Sequence, residues 1–219
     1  MTLTPGQLKQ ANDKLRHSWA KQADRYDKAM GFVERRLFGS EHRGWACTRA
    51  VHDTLEVAIG TGLNLPFYSD DVNLTGIDLS EEMLAIARDR ADGMGRAVDL
   101  RNGDAHDLPF DDESFDSVVC TYSLCQIPDP HIAVTEMKRV LRPGGELILV
   151  DHIRSSVKPL LWLQRAIEFV TGRAEGEYMT RRPLEQVKAS GFDLKERERF
   201  RAGVIERLTA IKTSSSTAS

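Results

Sequence analysis

The sequence predicts a doubly wound α/β domain with a mostly parallel, seven-stranded sheet. Two observations carry that prediction. Between residues 53 and 151, short aliphatic and β-branched runs alternate with helical patterns, the signature of βαβ units. After residue 151 the alternation stops. Two late strand patterns then follow one another across only Arg201-Ala202-Gly203, a joint that favours an antiparallel hairpin at one sheet edge.

Residues 5–50 read as helices without a strand pattern, punctuated by Gly31 and Gly39-Ser40 into two or three pieces. Five strand patterns follow, at 54–59, 72–78, 97–102, 115–120 and 146–151, and the late pair spans 192–200 and 204–211. Ser80, with Glu81 and Glu82 behind it, opens a helix to about Ala91, because a serine oxygen caps free amides and acids suit the helix N-terminus. Ile132 to Leu141 forms another helix, stopped by Arg142-Pro143-Gly144-Gly145. Residues 158–171 make one apolar helical segment, and Leu184 to Ser190 a short helix. The organisation expected is a helical segment at 1–50 within one domain and a main body at 51–212. An insertion at about 158–183 caps that body, and a Ser/Thr-rich tail at 213–219 is disordered.

The 219 residues suffice for a substantial core. A net charge of −3 gives no electrostatic drive toward nucleic acid and argues against standing attachment to an anionic bilayer. No apolar run approaches the length of a membrane span, and Met1 to Ala20 lacks the apolar stretch of a secretory signal. Cys47, Cys120 and Cys125 are too few and scattered for a disulfide framework, so the expectation is a cytoplasmic chain. No His, Cys and acid cluster has ligand spacing, so no metal is expected.

Glu56-Val57-Ala58-Ile59-Gly60-Thr61-Gly62-Leu63-Asn64 ends the first strand with glycines that let backbone approach a ligand. Asp78 ends the second strand, where an acid can accept from two ribose hydroxyls. A dinucleotide fingerprint needs a third glycine. Leu65-Pro66 stands there instead, which favours a nucleoside without a pyrophosphate.

Four segments, LEVAIGTGLN at 55–64, TGIDLSEEMLAIAR at 75–88, NGDAHDLPFDDESFDSVV at 102–119 and EMKRVLRPGGELILVDH at 136–152, resemble the class I S-adenosylmethionine methyltransferases in order and spacing. The small enzymes acting on quinones, phospholipid amines and thiols are the most similar. The resemblance implies a Rossmann-like fold and S-adenosylmethionine as cofactor. It implies that Glu56, Gly60 and Gly62 shape the loop around the methionine part, with Ala58 where many members have glycine. Asp78 would hold the ribose, Leu79 and Met83 would flank the adenine, and Asp104 with Ala105 would take the adenine edge. Thr121 would lie beside the reactive sulfur. Related enzymes close a Tyr-Asp helix over the cofactor; here Trp19 to Asp27 matches it, with Tyr26 as the contact and plain packing on the sheet as the alternative.

On the acceptor side, His152 beside Asp151 is either a general base or a satisfied structural histidine. His106 and His131 read as surface loop residues, Cys120 as core and Cys125 as loop. In the 158–183 cap, Trp162 and Phe169 are the candidate apolar wall, Tyr178 follows in a loop, and Arg181 could meet a carboxylate or phosphate; the alternatives are a helix covering the sheet edge and a solvated arginine. The function expected is methyl transfer to N, O or S of a small, partly apolar acceptor. A phospholipid-amine methyltransferase and a non-catalytic cofactor-binding module are the alternatives. The acidic chain, without a Lys/Arg cluster near the apolar cap, favours a soluble acceptor, or a single lipid-like molecule, over a membrane-embedded phospholipid, with no integral membrane association. Oligomeric state is left open.

Overall fold

The computed structural model describes residues 3–39, 41–174 and 180–213. Seven strands form one sheet: β1 (Asp53–Val57), β2 (Asn73–Asp78), β3 (Asp99–Asn102), β4 (Phe115–Thr121), β5 (Leu141–His152), β6 (Asp193–Phe200) and β7 (Ile205–Ile211). Their spatial order is β3-β2-β1-β4-β5-β7-β6. The first five are parallel; β7 runs antiparallel to both β5 and β6. The late hairpin is as expected, with its second strand inserted beside β5 and its first at the edge. The fifth strand is longer than its aliphatic run, because pairing of Phe115 with Leu141 draws the Pro-Gly-Gly segment into the start of the strand.

Alternate residues of each central strand face opposite sides, which divides the core in two. On one side Val118, Cys120, Leu147 and Leu149 pack with Val134 and Met137 of α4 (Pro130–Val140) and Val187 of α6 (Pro183–Ala189). On the other, Val119, Ile148 and Val150 pack with Ala46 and Cys47 of α2 (Glu41–Cys47) and with Leu84 and Ala91 of α3 (Glu81–Gly93). Ser80 caps α3 through the amide of Met83, as its position predicts.

The N-terminal segment departs from expectation. Gly31 does not break it: α1 runs unbroken from Pro5 to Val33 and continues as a π-helical turn to Phe38. A mid-helix glycine costs only about 1 kcal/mol. The stop comes at Gly39, whose φ of 104° suits only glycine. Another long helix, α5 (Lys158–Ala174), follows β5. Of the Ser/Thr-rich tail, residues 214–219 lie outside the described residues.

Candidate functional site

The strand order reverses between β1 and β4, and the carboxyl ends of parallel strands open a crevice at such a point. A cleft of about 690 Å³, open mouth included, lies there. Tyr26, Ala58, Gly60, Asp78, Leu79, Met83, Asp104 and Ala105 line it. Eight of the residues singled out from the sequence therefore converge, although they come from α1, the ends of three strands and the first turn of α3. Glu56, Gly62 and Thr121 are not among the lining residues.

Asp78 is nearly buried at the end of β2. Its Oδ2 accepts the Gly60 amide at 2.8 Å and its Oδ1 the Ser80 amide at 2.9 Å. Burial pushes its carboxyl up to about 6, with those amides pulling the other way. The two glycines of the β1 turn do different work. A Cβ on Gly60 would meet nothing within 4 Å, so its open side belongs to the cleft. A Cβ on Gly62 would meet Leu65 Cδ1 at 2.8 Å, so Gly62 serves packing of the turn. Ala58 has φ of 57°, a left-handed conformation that alanine adopts at a cost. That conformation explains why glycine is the natural residue there.

Asp104 is oriented rather than loose. The Nε2 of His106 accepts the Asp129 amide at 3.1 Å, so Nδ1 carries the proton and donates it to Asp104 Oδ1. Burial alone would raise the Asp104 carboxyl; the His106 ring and amide hold it below the usual range. His106 is thus a buried positioning group and not the surface residue the sequence suggested. His131 is exposed, as expected.

α1 lies across the mouth of this cleft. Asn12 donates to Asp104, Arg16 Nε to the Leu79 carbonyl at 3.3 Å, and Thr61 Oγ1 to Asp27 at 2.6 Å. Arg90 also pairs with Asp27. Leu15, Trp19 and Tyr26 supply the apolar ceiling, Trp19 edge-on to Tyr26 at 5.5 Å. Burial pushes the Tyr26 hydroxyl up to about 12.

Behind the β1 turn sits a buried polar network that sequence reasoning missed. Arg43 of α2 pairs with Glu34 at 2.6 Å and donates to Asn64 Oδ1 at 2.9 Å and to Thr121 Oγ1 at 3.2 Å. Asn64 donates in turn to Glu56 at 2.7 Å and to Thr121 at 2.9 Å, and Tyr68 donates to Glu56 at 2.9 Å. Burial raises the Glu56 carboxyl to about 7 despite those donors. Thr121, expected beside the reactive centre, has its hydroxyl committed to this network. The cleft wall at the end of β4 is instead Tyr122, with φ of 55°, stacked on Phe38 and under Arg43. Its only sequence signal was its place after the strand end.

His152 is buried at the end of β5, its Nε2 at 3.2 Å from Cys125 Sγ. The Asp151 oxygens accept the Cys125 and His152 amides, each at 2.8 Å. Cys125 lies in a loop, as expected, but fully buried. The fold thus brings Cys125, Asp151 and His152 ligand atoms within 4.8 Å of one another, a cluster that linear spacing could not reveal.

The cap residues go elsewhere. Trp162 and Phe169 are 70% and 62% exposed on the outside of α5 and do not line the cleft. Tyr178 lies outside the described residues. Arg181 donates to the Leu124 and Pro128 carbonyls at 3.4 and 3.3 Å, and also to Ile127. With Arg154 and Arg182 it lines a second cleft of about 740 Å³, open mouth included, beside Leu124 and Pro130.

Residues 55–149 match the methyltransferase domain family. The chain is 46% identical over 115 residues to a phosphatidylethanolamine N-methyltransferase of Cereibacter sphaeroides, covering 52% of this chain and 57% of that one. It is 34% identical over 136 residues to a demethylmenaquinone methyltransferase of Staphylococcus aureus, covering 60% and 56%. The match thus spans little more than half the length of these relatives. In fold it is similar to a solved S-adenosylmethionine-dependent methyltransferase from Thermotoga maritima, with a TM-score of 0.68 at 24% identity over 90% of this chain and 99% of that one. Residues 55–149 thus resemble a methyltransferase domain in sequence, within a chain whose fold is that of solved S-adenosylmethionine-dependent methyltransferases.

Proposed function

We propose that the protein moves the methyl group of S-adenosylmethionine onto a nitrogen, oxygen or sulfur atom of a small, partly apolar acceptor. The cleft under α1 carries this reading. Its residues fit the cofactor group by group. Asp78 keeps a second lone pair on each oxygen for the ribose hydroxyls. Leu79 and Met83 flank the adenine, and the oriented Asp104 accepts from its amino group, with Ala105 supplying backbone. Gly60 admits the methionine part, and the Tyr26 hydroxyl meets its carboxylate. Ala58, Gly62 and Glu56 hold the turn from beside and behind, and Thr121 anchors the end of β4 next to the reacting sulfur.

When bound, the cofactor supplies a methyl group already activated by its positive sulfur. What remains for the chain is alignment and exclusion of water. The N-terminal helix, with Trp19 and Tyr26, serves as the lid that excludes water, and the segment at 158–183 shapes acceptor entry. His152 serves as base only for an acceptor that must shed a proton.

A second reading narrows the acceptor to a phospholipid amine. Two observations favour it: a 46%-identical relative bears that name, and Arg154, Arg181 and Arg182 line a cavity suited to a phosphate. Turnover with methyl-labelled S-adenosylmethionine across amine, thiol, phenol, quinol and phospholipid acceptors tests both readings. Transfer to a soluble acceptor supports the broader one, and transfer only to phospholipid the narrower. Tight cofactor binding with no transfer to any class would leave a non-catalytic binding module.

A further inference from the structure

We propose that the outer face of α5 is a docking surface for an anionic lipid bilayer. α5 is anchored from its inner side. Gln164, 3% exposed, accepts the Ser155 amide at 2.7 Å and donates to the Ile153 carbonyl at 2.9 Å. That double bond ties the helix to the segment leaving β5, so α5 begins at the strand-end edge of the sheet where the cleft opens. The opposite face points outward, and it mixes aromatic with cationic side chains.

Trp162, Ala166 and Phe169 are exposed at intervals of four and three residues, on one helix face. Leu163, 55% exposed, and Val157, 44% exposed, extend this apolar surface. Isolated exposed apolar residues are ordinary; an aromatic pair one face wide is not. Lys158 and Arg165 are exposed on the same face, one turn before Trp162 and one turn after it. Among its described side chains the helix carries Lys158 and Arg165, both exposed, against a single acid, Glu168, which is half-buried. The net charge of −3 misleads here, because the negative charge lies elsewhere in the chain. Read linearly, the segment shows no cationic cluster; read at helical spacing, two cations bracket an indole.

That arrangement fits the interface of an anionic bilayer. Indole and phenyl rings settle at the headgroup level, and cations beside them meet lipid phosphates. A second protein copy would have to cover the same aromatic face while burying two like charges against their equivalents. No helix among the described residues is long and apolar enough to cross a membrane, so contact through α5 would be peripheral.

Sedimentation with vesicles tests the inference on the full chain. One set is pure phosphatidylcholine, and the other is equal parts phosphatidylcholine and phosphatidylglycerol. The native chain should sediment with the anionic set and be released by salt. Lys158→Gln with Arg165→Gln should weaken that binding roughly 30-fold, about fivefold for each cation. Trp162→Ala with Phe169→Ala should weaken it about tenfold or more through lost apolar burial. Every altered side chain is exposed, so S-adenosylhomocysteine affinity and melting temperature serve as controls for folding. Three results would overturn the inference: a native chain that stays in the supernatant with both sets, an aromatic double variant that sediments like the native chain, or a solution dimer that Trp162→Ala dissociates. The assay reads binding alone, so its failure leaves the methyl-transfer reading standing, and loss of that reading leaves this one.

Discussion

The cofactor half of the molecule, β1 to β4 with α1, and the acceptor half, beyond β5, are built on different principles. In the first, apart from the residues that α1 and the first turn of α3 supply, the functional side chains sit at or just past strand ends. Gly60, Asp78 and Asp104 therefore meet because parallel strands in register end together. In the second, the pieces come from loops and helices whose neighbours are set by packing alone. Arg181 holds the 122–130 loop, and Trp162 faces away from the cleft. Local sequence order thus encodes where a cofactor binds far more directly than where an acceptor does.

The sharpest contrast is within the cofactor half, between lining residues and the buried network that braces them. Arg43→Ala would leave Glu34 and the Asn64 carbonyl without their buried cation, and should lower stability by about 3 kcal/mol. Urea denaturation monitored by circular dichroism measures it. An unchanged midpoint would show that the network does not brace the turn.

The Asp78 carboxyl, raised to about 6 by burial, gives the cleft a pH dependence with a definite sign. Its contribution to stability is fully present below the ordinary aspartate range and is lost as pH rises through about 6. Cofactor binding runs the opposite way, because ribose hydroxyls need the ionised form as acceptor. Affinity for S-adenosylhomocysteine should rise about tenfold between roughly pH 5 and pH 7, and Asp78→Asn should flatten that rise. A native profile as flat as the variant's would assign the ribose to another group.

The smallest effect expected is a gain. Ala58→Gly relieves a left-handed alanine at φ of 57° and should stabilise the protein by about 1 kcal/mol in thermal denaturation. A loss instead would mean that the Ala58 methyl packs in the turn.

How much was legible follows the same division. The sheet, the late hairpin, the Ser80 cap, Gly60 and Asp78 were readable because each rests on a pattern a few residues long, and the other cleft residues followed from the resemblance those segments bear to a known family. His106 read as surface because nothing in a linear sequence shows that Asp129, 23 residues on, donates to it. Arg43, Asn12 and Tyr122 were invisible for the same reason: their partners are distant in the chain, and their residue types alone name no role. The continuity of α1 through Gly31 escaped because tertiary contacts such as Asn12 to Asp104 and Asp27 to Thr61 outweigh one weak helix former. Trp162 was read as a pocket wall because apolar character at helical spacing does not say which side of a helix is covered.

The central claim is that the cleft beneath α1 binds S-adenosylmethionine through Asp78. Titration calorimetry with S-adenosylhomocysteine tests it most directly, using the native chain and Asp78→Ala at about pH 7. The account predicts binding by the native chain, no comparable binding of NAD, and a loss of about 1.5–3 kcal/mol in the variant, the range for hydrogen bonds to a charged group. Equal affinity in the two proteins, or tight NAD binding with none for S-adenosylhomocysteine, would contradict it.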